Sequence, residues 1–424
     1  MAKRTRTILF LSFLVLFLLM APAIVLYSQG YRIDIENKKI TQTGGLFLKV
    51  LPKQVEIYLD GKLSKKTDFF FGSVLVENLL PQKYKIEVKK EGFYPWEKNL
   101  EIKEKQVTEA KNIILFPEDP EFTALFTGVE NLWFSSDQKK IVLRENNQNI
   151  WSLKLYEIEK KVKTHLIEET NISNRGADLI SLEFSPDAKK ISLEAGVAEQ
   201  LRYYEIDLDK TPIVLTRKET PPLPSENTLA LLKSSDGNEV YYLDAFGYLY
   251  KTDSSFETKE KINEIPFPTT LETEYKIRKI GNLFFLQEEK SIYKLNPASK
   301  SFEMFFDGIN DLNLSPDSKK LVYFSDYEIW LLFLEDDLPL HQAGDKIFLV
   351  RLSEKIKDCS WLNSSYLVFT AGDKIKISEI DNRDRINIID IKQTKNPDVF
   401  WSKIEKKLYL LDAKTLYLSE TLLF

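Results

Sequence analysis

Phe184-Ser185-Pro186-Asp187-Ala188-Lys189-Lys190-Ile191 joins a tight turn to the start of an apolar strand. Proline presets φ for the turn, serine and aspartate bond nearby backbone, and the lysines mark its solvated exit. The phrase recurs as Phe134-Ser135-Ser136-Asp137-Gln138-Lys139-Lys140-Ile141 and Leu314-Ser315-Pro316-Asp317-Ser318-Lys319-Lys320-Leu321. Weaker copies are Ser234-Ser235-Asp236-Gly237-Asn238-Glu239-Val240 and Trp401-Ser402-Lys403-Ile404-Glu405-Lys406-Lys407-Leu408. The second lysine slot falls at 140, 190, 239, 320 and 407, so the last two steps are double. Their midpoints lie near 280 and 364, where Gly281-Asn282-Leu283-Phe284-Phe285 and the stretch from Trp361 to Phe369 each show a turn followed by an apolar strand. Seven units of about 44 residues result, the length of a four-stranded propeller blade.

Most units continue with a second apolar stretch, among them Trp151 to Leu155, Tyr203 to Asp207, Tyr248 to Lys251, Ile292 to Asn296, Ile347 to Val350 and Ile375 to Ile380. Each pair reads as a blade's inner and middle strands. Pro221-Pro222-Leu223-Pro224 and Glu335 to Gly344 read as loops lengthened from one face, where propellers often bind partners, so Pro222, Pro224, Asp336 and Asp337 are candidate interaction residues. The Ser-Pro-Asp-x-Lys-Lys phrase resembles the β-propeller repeat of TolB-like periplasmic proteins, relatives of WD-repeat propellers. That resemblance implies a propeller over residues 118–424, and a β-helix or two stacked sandwiches explain a repeat near 44 less well.

Upstream, Ile8 to Leu26 is an uncharged run interrupted only by Ser12 and Pro22, close to the length a helix needs to span a bilayer. Lys3, Arg4 and Arg6 precede it, and the positive-inside rule then keeps the N-terminus cytoplasmic and exports the remainder. Ala21-Pro22-Ala23 imitates a signal-peptide cleavage site, the competing reading. An anchor is preferred, because Pro22 sits inside that site and the apolar run continues to Tyr27.

From Gly44 the pattern becomes short alternating stretches. Val55, Ile57 and Leu59 fall on one face of a strand that ends in the hairpin turn Asp60-Gly61. Tyr84, Ile86 and Val88 repeat the alternation, and Leu100, Ile102, Ile113 and Leu115 supply two further strands. Gly45 to Val50, Val55 to Lys62, Leu80 to Val88 and Lys90-Glu91-Gly92-Phe93 resemble, in order, the motifs of the PEGA domain, although Pro52-Lys53-Gln54-Val55 stands where the namesake tetrapeptide belongs. The resemblance implies a small β-sandwich serving as a non-catalytic interaction or spacer module. Phe69, Phe70, Phe71, Phe93, Tyr94 and Trp96 either form an aromatic face for glycan or protein or plug the ends of the sandwich.

Chemistry is sparse. The one cysteine, Cys359, forbids an intramolecular disulfide, and two histidines, His165 and His341, leave little for an imidazole site. No phosphate-binding, dinucleotide, zinc-protease or nucleophile-elbow pattern occurs. Asp336 and Asp337 could meet a hard cation but lack a calcium-loop spacing, and the repeated Asp137, Asp187, Asp236 and Asp317 read as turn residues. Charge runs about +4 over residues 1–43, +3 over 44–117 and −12 over the remainder, which opposes nucleic-acid binding.

The expected architecture is mainly β, with a basic tip (1–7), a transmembrane helix (8–27), a linker (28–43), a PEGA-like β-sandwich (44–117) and a seven-bladed β-propeller (118–424). The expected function is a non-enzymatic, membrane-anchored extracytoplasmic scaffold without cofactor or metal, whose partners are the lipid bilayer and a protein or cell-wall glycan. The alternative is a hydrolase or lyase acting on cell-wall polysaccharide through an acid pair in the propeller channel.

Overall fold

A computed structural model of the chain describes residues 3–35, 38–234 and 237–423, with side chains from residue 6 on. The turn residue Asp236 lies outside the described residues. The chain divides into two compact units: residues up to Pro120 with Ser378–Ile391 and the last residues from Thr421, and Glu121–Ile377 with Lys392–Glu420.

The first unit begins with the helix Lys3–Ser28, of which Arg6–Ser28 is long and apolar enough to cross a membrane and has none of its length buried. The stretch expected to be a linker holds an antiparallel hairpin, Tyr31–Asp34 with Lys39–Gln42. Its apolar positions alternate, and Arg32 lies over the Tyr27 ring at 3.6 Å. Two sheets follow. Gly44–Leu51 is flanked by Ser73–Leu79 and Val107–Ile114, and Glu56–Leu59 pairs with Lys62–Lys66 and with Lys83–Lys89, which pairs in turn with Trp96–Glu101. Asp60 and Gly61 both have positive φ, which a tight two-residue hairpin requires. Alternation then buries Val55, Ile57 and Leu59 against Tyr84, Ile86 and Val88 in one core.

Among the described residues the chain from Phe122 to Ser419 forms seven sheets of four antiparallel strands, the last completed by Phe122–Thr127. Their second strands are Lys140–Asn147, Lys190–Val197, Glu239–Asp244, Leu283–Glu288, Lys320–Ser325, Tyr366–Ala371 and Lys407–Asp412. Each repeated phrase is thus the turn between a sheet's first and second strands. The Ser185 hydroxyl donates to Asp187 (2.6 Å) and accepts from the Lys190 amide (2.9 Å), while the Lys189 amide donates to Asp187 (3.1 Å). The same bonds recur at Ser135 and Ser315. The fourth slot is left-handed at Gln138, Ala188, Ser318 and Gly237, while in the copy that begins at Ser402 the left-handed residue is Lys406, one place later.

The ring closes through chain-distant pairing. Phe122–Thr127 enters the last sheet as its fourth strand, with Phe122 opposite Ser419. Tyr409, Leu411 and Leu416 of that sheet share a core with Val129, Leu132 and Ile141 of the first. Neighbouring turns are bonded too: Lys140 donates to the Ala188 carbonyl (2.7 Å), and the Lys403 amide to Gln138 (2.8 Å). Seven sheets linked last to first make a closed β-propeller, whose radial repetition leaves only short sheet edges.

Two expectations are corrected. The recurring pair is the second and third strands of a sheet, and in the fifth sheet the third strand is Glu328–Phe333, while the stretch at Ile347 belongs to the fourth strand, Lys346–Arg351. The loops at Pro221 and Glu335 do not share a face. One joins a fourth strand to the next first strand, the other a third strand to a fourth, and antiparallel order sends these to opposite ends. Accordingly the Ala245 amide bonds the Asn227 carbonyl beside the first loop, while Lys319 of a repeat turn pairs with Glu335 in the second.

Candidate functional site

The expected interaction residues scatter. Phe69, Phe70 and Phe71 sit in the loop before Ser73–Leu79 and are 65%, 73% and 75% exposed, so they do not plug the sandwich. Phe69 and Phe70 meet edge to face at 5.4 Å, and the Phe71 amide bonds Asp68. Trp96 is the opposite case and is corrected as a surface residue: strand alternation turns it inward to 3% exposure. Tyr94 is half-buried and donates to the Asp390 carbonyl at 2.8 Å. Pro222 is exposed and Pro224 half-buried. Asp336 and Asp337 are exposed and serve their own loop, one accepting from the Ala343 amide (2.8 Å), the other bridging His341 through backbone. His341 stacks on Phe333, His165 is exposed on an outer strand, and Cys359 is buried, its thiol pushed well up by burial. Among the described residues no cluster of His, Cys, Asp and Glu could hold a metal ion.

Two charged clusters escaped the sequence. Within the first unit, Lys98 is wholly buried. Its ammonium pairs with Glu379 (2.7 Å) and donates to the Asp381 (2.6 Å) and Arg385 (3.0 Å) carbonyls, so all three protons are used. Glu379 is equally occupied, taking the Trp96 indole N–H (2.8 Å) and the Asn387 backbone (2.9 Å) and side-chain (2.7 Å) N–H groups. Burial raises the Asp381 carboxyl, but Arg383 beside it outweighs that and holds it below the usual range.

The other cluster lies inside the ring. First strands line the channel of a propeller, and those of the fourth to seventh sheets, Tyr275–Ile280, Ile309–Leu314, Ile356–Asn363 and Asp398–Ser402, border a cavity of about 400 Å³. Its lining includes Asp311, Asp358 and Asp398 together with Lys276, Arg278 and Lys357. Most of these residues sit near the starts of their strands, which places the cavity toward the end that carries Pro221 to Pro224.

The bases are already engaged: Arg278 with Asp311, Lys357 with Asp398, and Lys276 with Glu274 at 3.3 Å. No ion pair reaches Asp358 among the described residues. Burial raises its carboxyl, and Asp311 and Asp398 add to this against the Cys359 amide and Lys357. In the same lining Gln287, 6% exposed, bonds the Glu289 carbonyl through Nε2 (2.9 Å) while its Oε1 accepts nothing, and the buried Arg278 Nε donates to nothing. No signal in the sequence marked these acids, because they come from three sheets and carry no local motif.

No protein-family model matches the chain, and neither does any curated protein. Solved structures resemble it at low identity. The β-propeller domain of Cps50 (Swd1) from Myceliophteria thermophila is 11% identical with a TM-score of 0.43, covering 72% of this chain and 99% of that one. YCF48 from Cyanidioschyzon merolae is 11% identical with a TM-score of 0.45, covering 71% and 98%. The C-terminal WD40 domain of Sif2 is 10% identical with a TM-score of 0.46, covering 71% and 99%.

Proposed function

We propose that the chain is a membrane-anchored scaffold that presents a β-propeller outside the cytoplasm and binds a protein or cell-wall glycan. Support for the anchor comes from the uncovered apolar helix, and the basic residues before it favour a cytoplasmic N-terminus. The sandwich that follows is read as a PEGA-like spacer and the ring as TolB-like. The observation that carries the binding role is the charged cavity in the ring, whose bases pair with carboxylates while Asp358 has no cation among the described residues and the buried Gln287 Oε1 has no donor.

Membrane association is tested by washing membranes that carry the full chain with alkaline carbonate, which leaves an integral protein behind and releases a cleaved one. Partner binding is tested with the full detergent-solubilised chain as bait. The reading expects a protein or glycan retained by the wild type and lost on substitution around one end of the ring. Retention no greater than by a bait holding only the helix overturns it.

A hydrolase or lyase acting on cell-wall polysaccharide is the second reading, and it draws on the same three carboxylates. Asp358, its carboxyl raised by burial, lines the cavity with Asp311 and Asp398, each paired with a base, and such unequal surroundings are what acid–base chemistry needs. A glycan activity screen decides it: activity lost in both Asp358→Asn and Asp398→Asn supports the enzyme, and its absence in the wild type removes it.

A further inference from the structure

Two acceptors in the lining are open, the Asp358 carboxylate that no cation pairs among the described residues and the buried Gln287 Oε1, against one open donor, the buried Arg278 Nε, and this balance narrows the ligand. Arg278, Lys357 and Lys276 each face a carboxylate already, so an anionic ligand would have to displace Asp311, Asp398 or Glu274. Asp358 has no cation partner among the described residues, and Gln287, more than nine-tenths buried in the lining, keeps an unused Oε1. A buried acceptor without a donor is costly, and a ligand bringing N–H groups recovers that cost. Phe324, Phe400, Val399 and Pro397 supply apolar wall beside these polar groups. The surplus of about twelve negative charges over residues 118–424 attracts cations to the ring.

We propose that the cavity between the first strands of the fourth to seventh sheets binds a protonated primary amine on an aliphatic stem, the group of a lysine side chain or a free alkylamine. The ammonium takes the Asp358 carboxylate and Gln287 Oε1, and the stem lies against Phe324 and Phe400. This rests on the binding reading and gives it a ligand class. An ammonium offers three donors in a compact head, which suits two acceptors at different angles.

The test titrates the full chain in detergent with N-acetyl-lysine-methylamide, with cadaverine, and with N-acetyl-norleucine-methylamide as the uncharged control. Binding of the lysine probe or cadaverine without the norleucine probe is expected, and whichever of the two is tighter identifies a protein side chain or a free amine as the source. Asp358→Asn is expected to weaken binding about tenfold. Lys357→Met leaves Asp398 without its base and is expected to tighten binding about threefold, a gain that misfolding cannot mimic. Equal binding of the norleucine probe, or an unchanged affinity in Asp358→Asn, overturns the site. A chain that takes the lysine probe yet retains no partner refutes the scaffold reading alone. One whose Asp358→Asn form still captures a partner while the wild type takes no amine refutes this site alone.

Discussion

Lys98 and Asp358 are charged groups set among apolar strands, and their surroundings differ in one respect. Every proton of Lys98 and both oxygens of Glu379 have partners, whereas in the cavity lining Asp358 has no cation among the described residues and Gln287 Oε1 has no donor. A satisfied cluster holds structure together, and an unsatisfied one stands ready for a ligand.

The largest effect is expected where the satisfied cluster is broken. Lys98→Met leaves Glu379 buried without its cation and should cost about 3–5 kcal/mol, read from the denaturant midpoint. An unaltered midpoint would show that the cluster is not closed.

Asp358→Asn should act in the opposite direction. The folded-state pKa of Asp358 lies above its unfolded value of about 4, so its contribution is complete below that value and is lost as pH rises through the raised folded pKa. The variant should therefore be at least as stable as the wild type at neutral pH, and its stability should fall less between acidic and neutral pH. A destabilised variant with the same pH slope would mean that the carboxylate is already neutralised.

Asp326, bonded by Asn310 (2.9 Å) and paired with Lys290 (3.1 Å) and Lys355 (3.4 Å), has the reverse sign, its carboxyl held at about 2. Its contribution is present above about 4 and lost as pH falls through about 2, so Asp326→Asn should cost about 1 kcal/mol at neutral pH and progressively less as the pH falls below about 4. Acid-unfolding curves of the two forms should converge.

The smallest effect belongs to the repeated turn. Ser318 is exposed with φ +61°, in the slot that Gly237 occupies elsewhere. Ser318→Gly should add about 0.5–1 kcal/mol, visible as a small rise in Tm.

What the sequence disclosed follows from what is local in it. The turn phrase and period-2 alternation are fixed by neighbours a few residues apart, so the second strands near 280 and 364 were legible although their turns carry no phrase. Three kinds of information were not local. Lys98 meets Glu379 across most of the chain, and Trp96 is turned inward in part by the same partner. The cavity gathers Arg278, Asp311, Asp358 and Asp398 from four first strands, each unremarkable alone. Strand parity separated the loops at Pro221 and Glu335, which composition could not reveal. For the aromatics, exposure of Phe69 to Phe71 and burial of Trp96 were set by loop and strand placement rather than residue type.

The contrast between closed and open clusters is tested most directly by following the Asp358 carboxyl carbon by NMR through a pH titration, with and without N-acetyl-lysine-methylamide. An open acceptor site expects titration above the ordinary carboxylate range in the free chain and a shift downward when the amine is present. Titration in the ordinary range, unmoved by the amine, would contradict it.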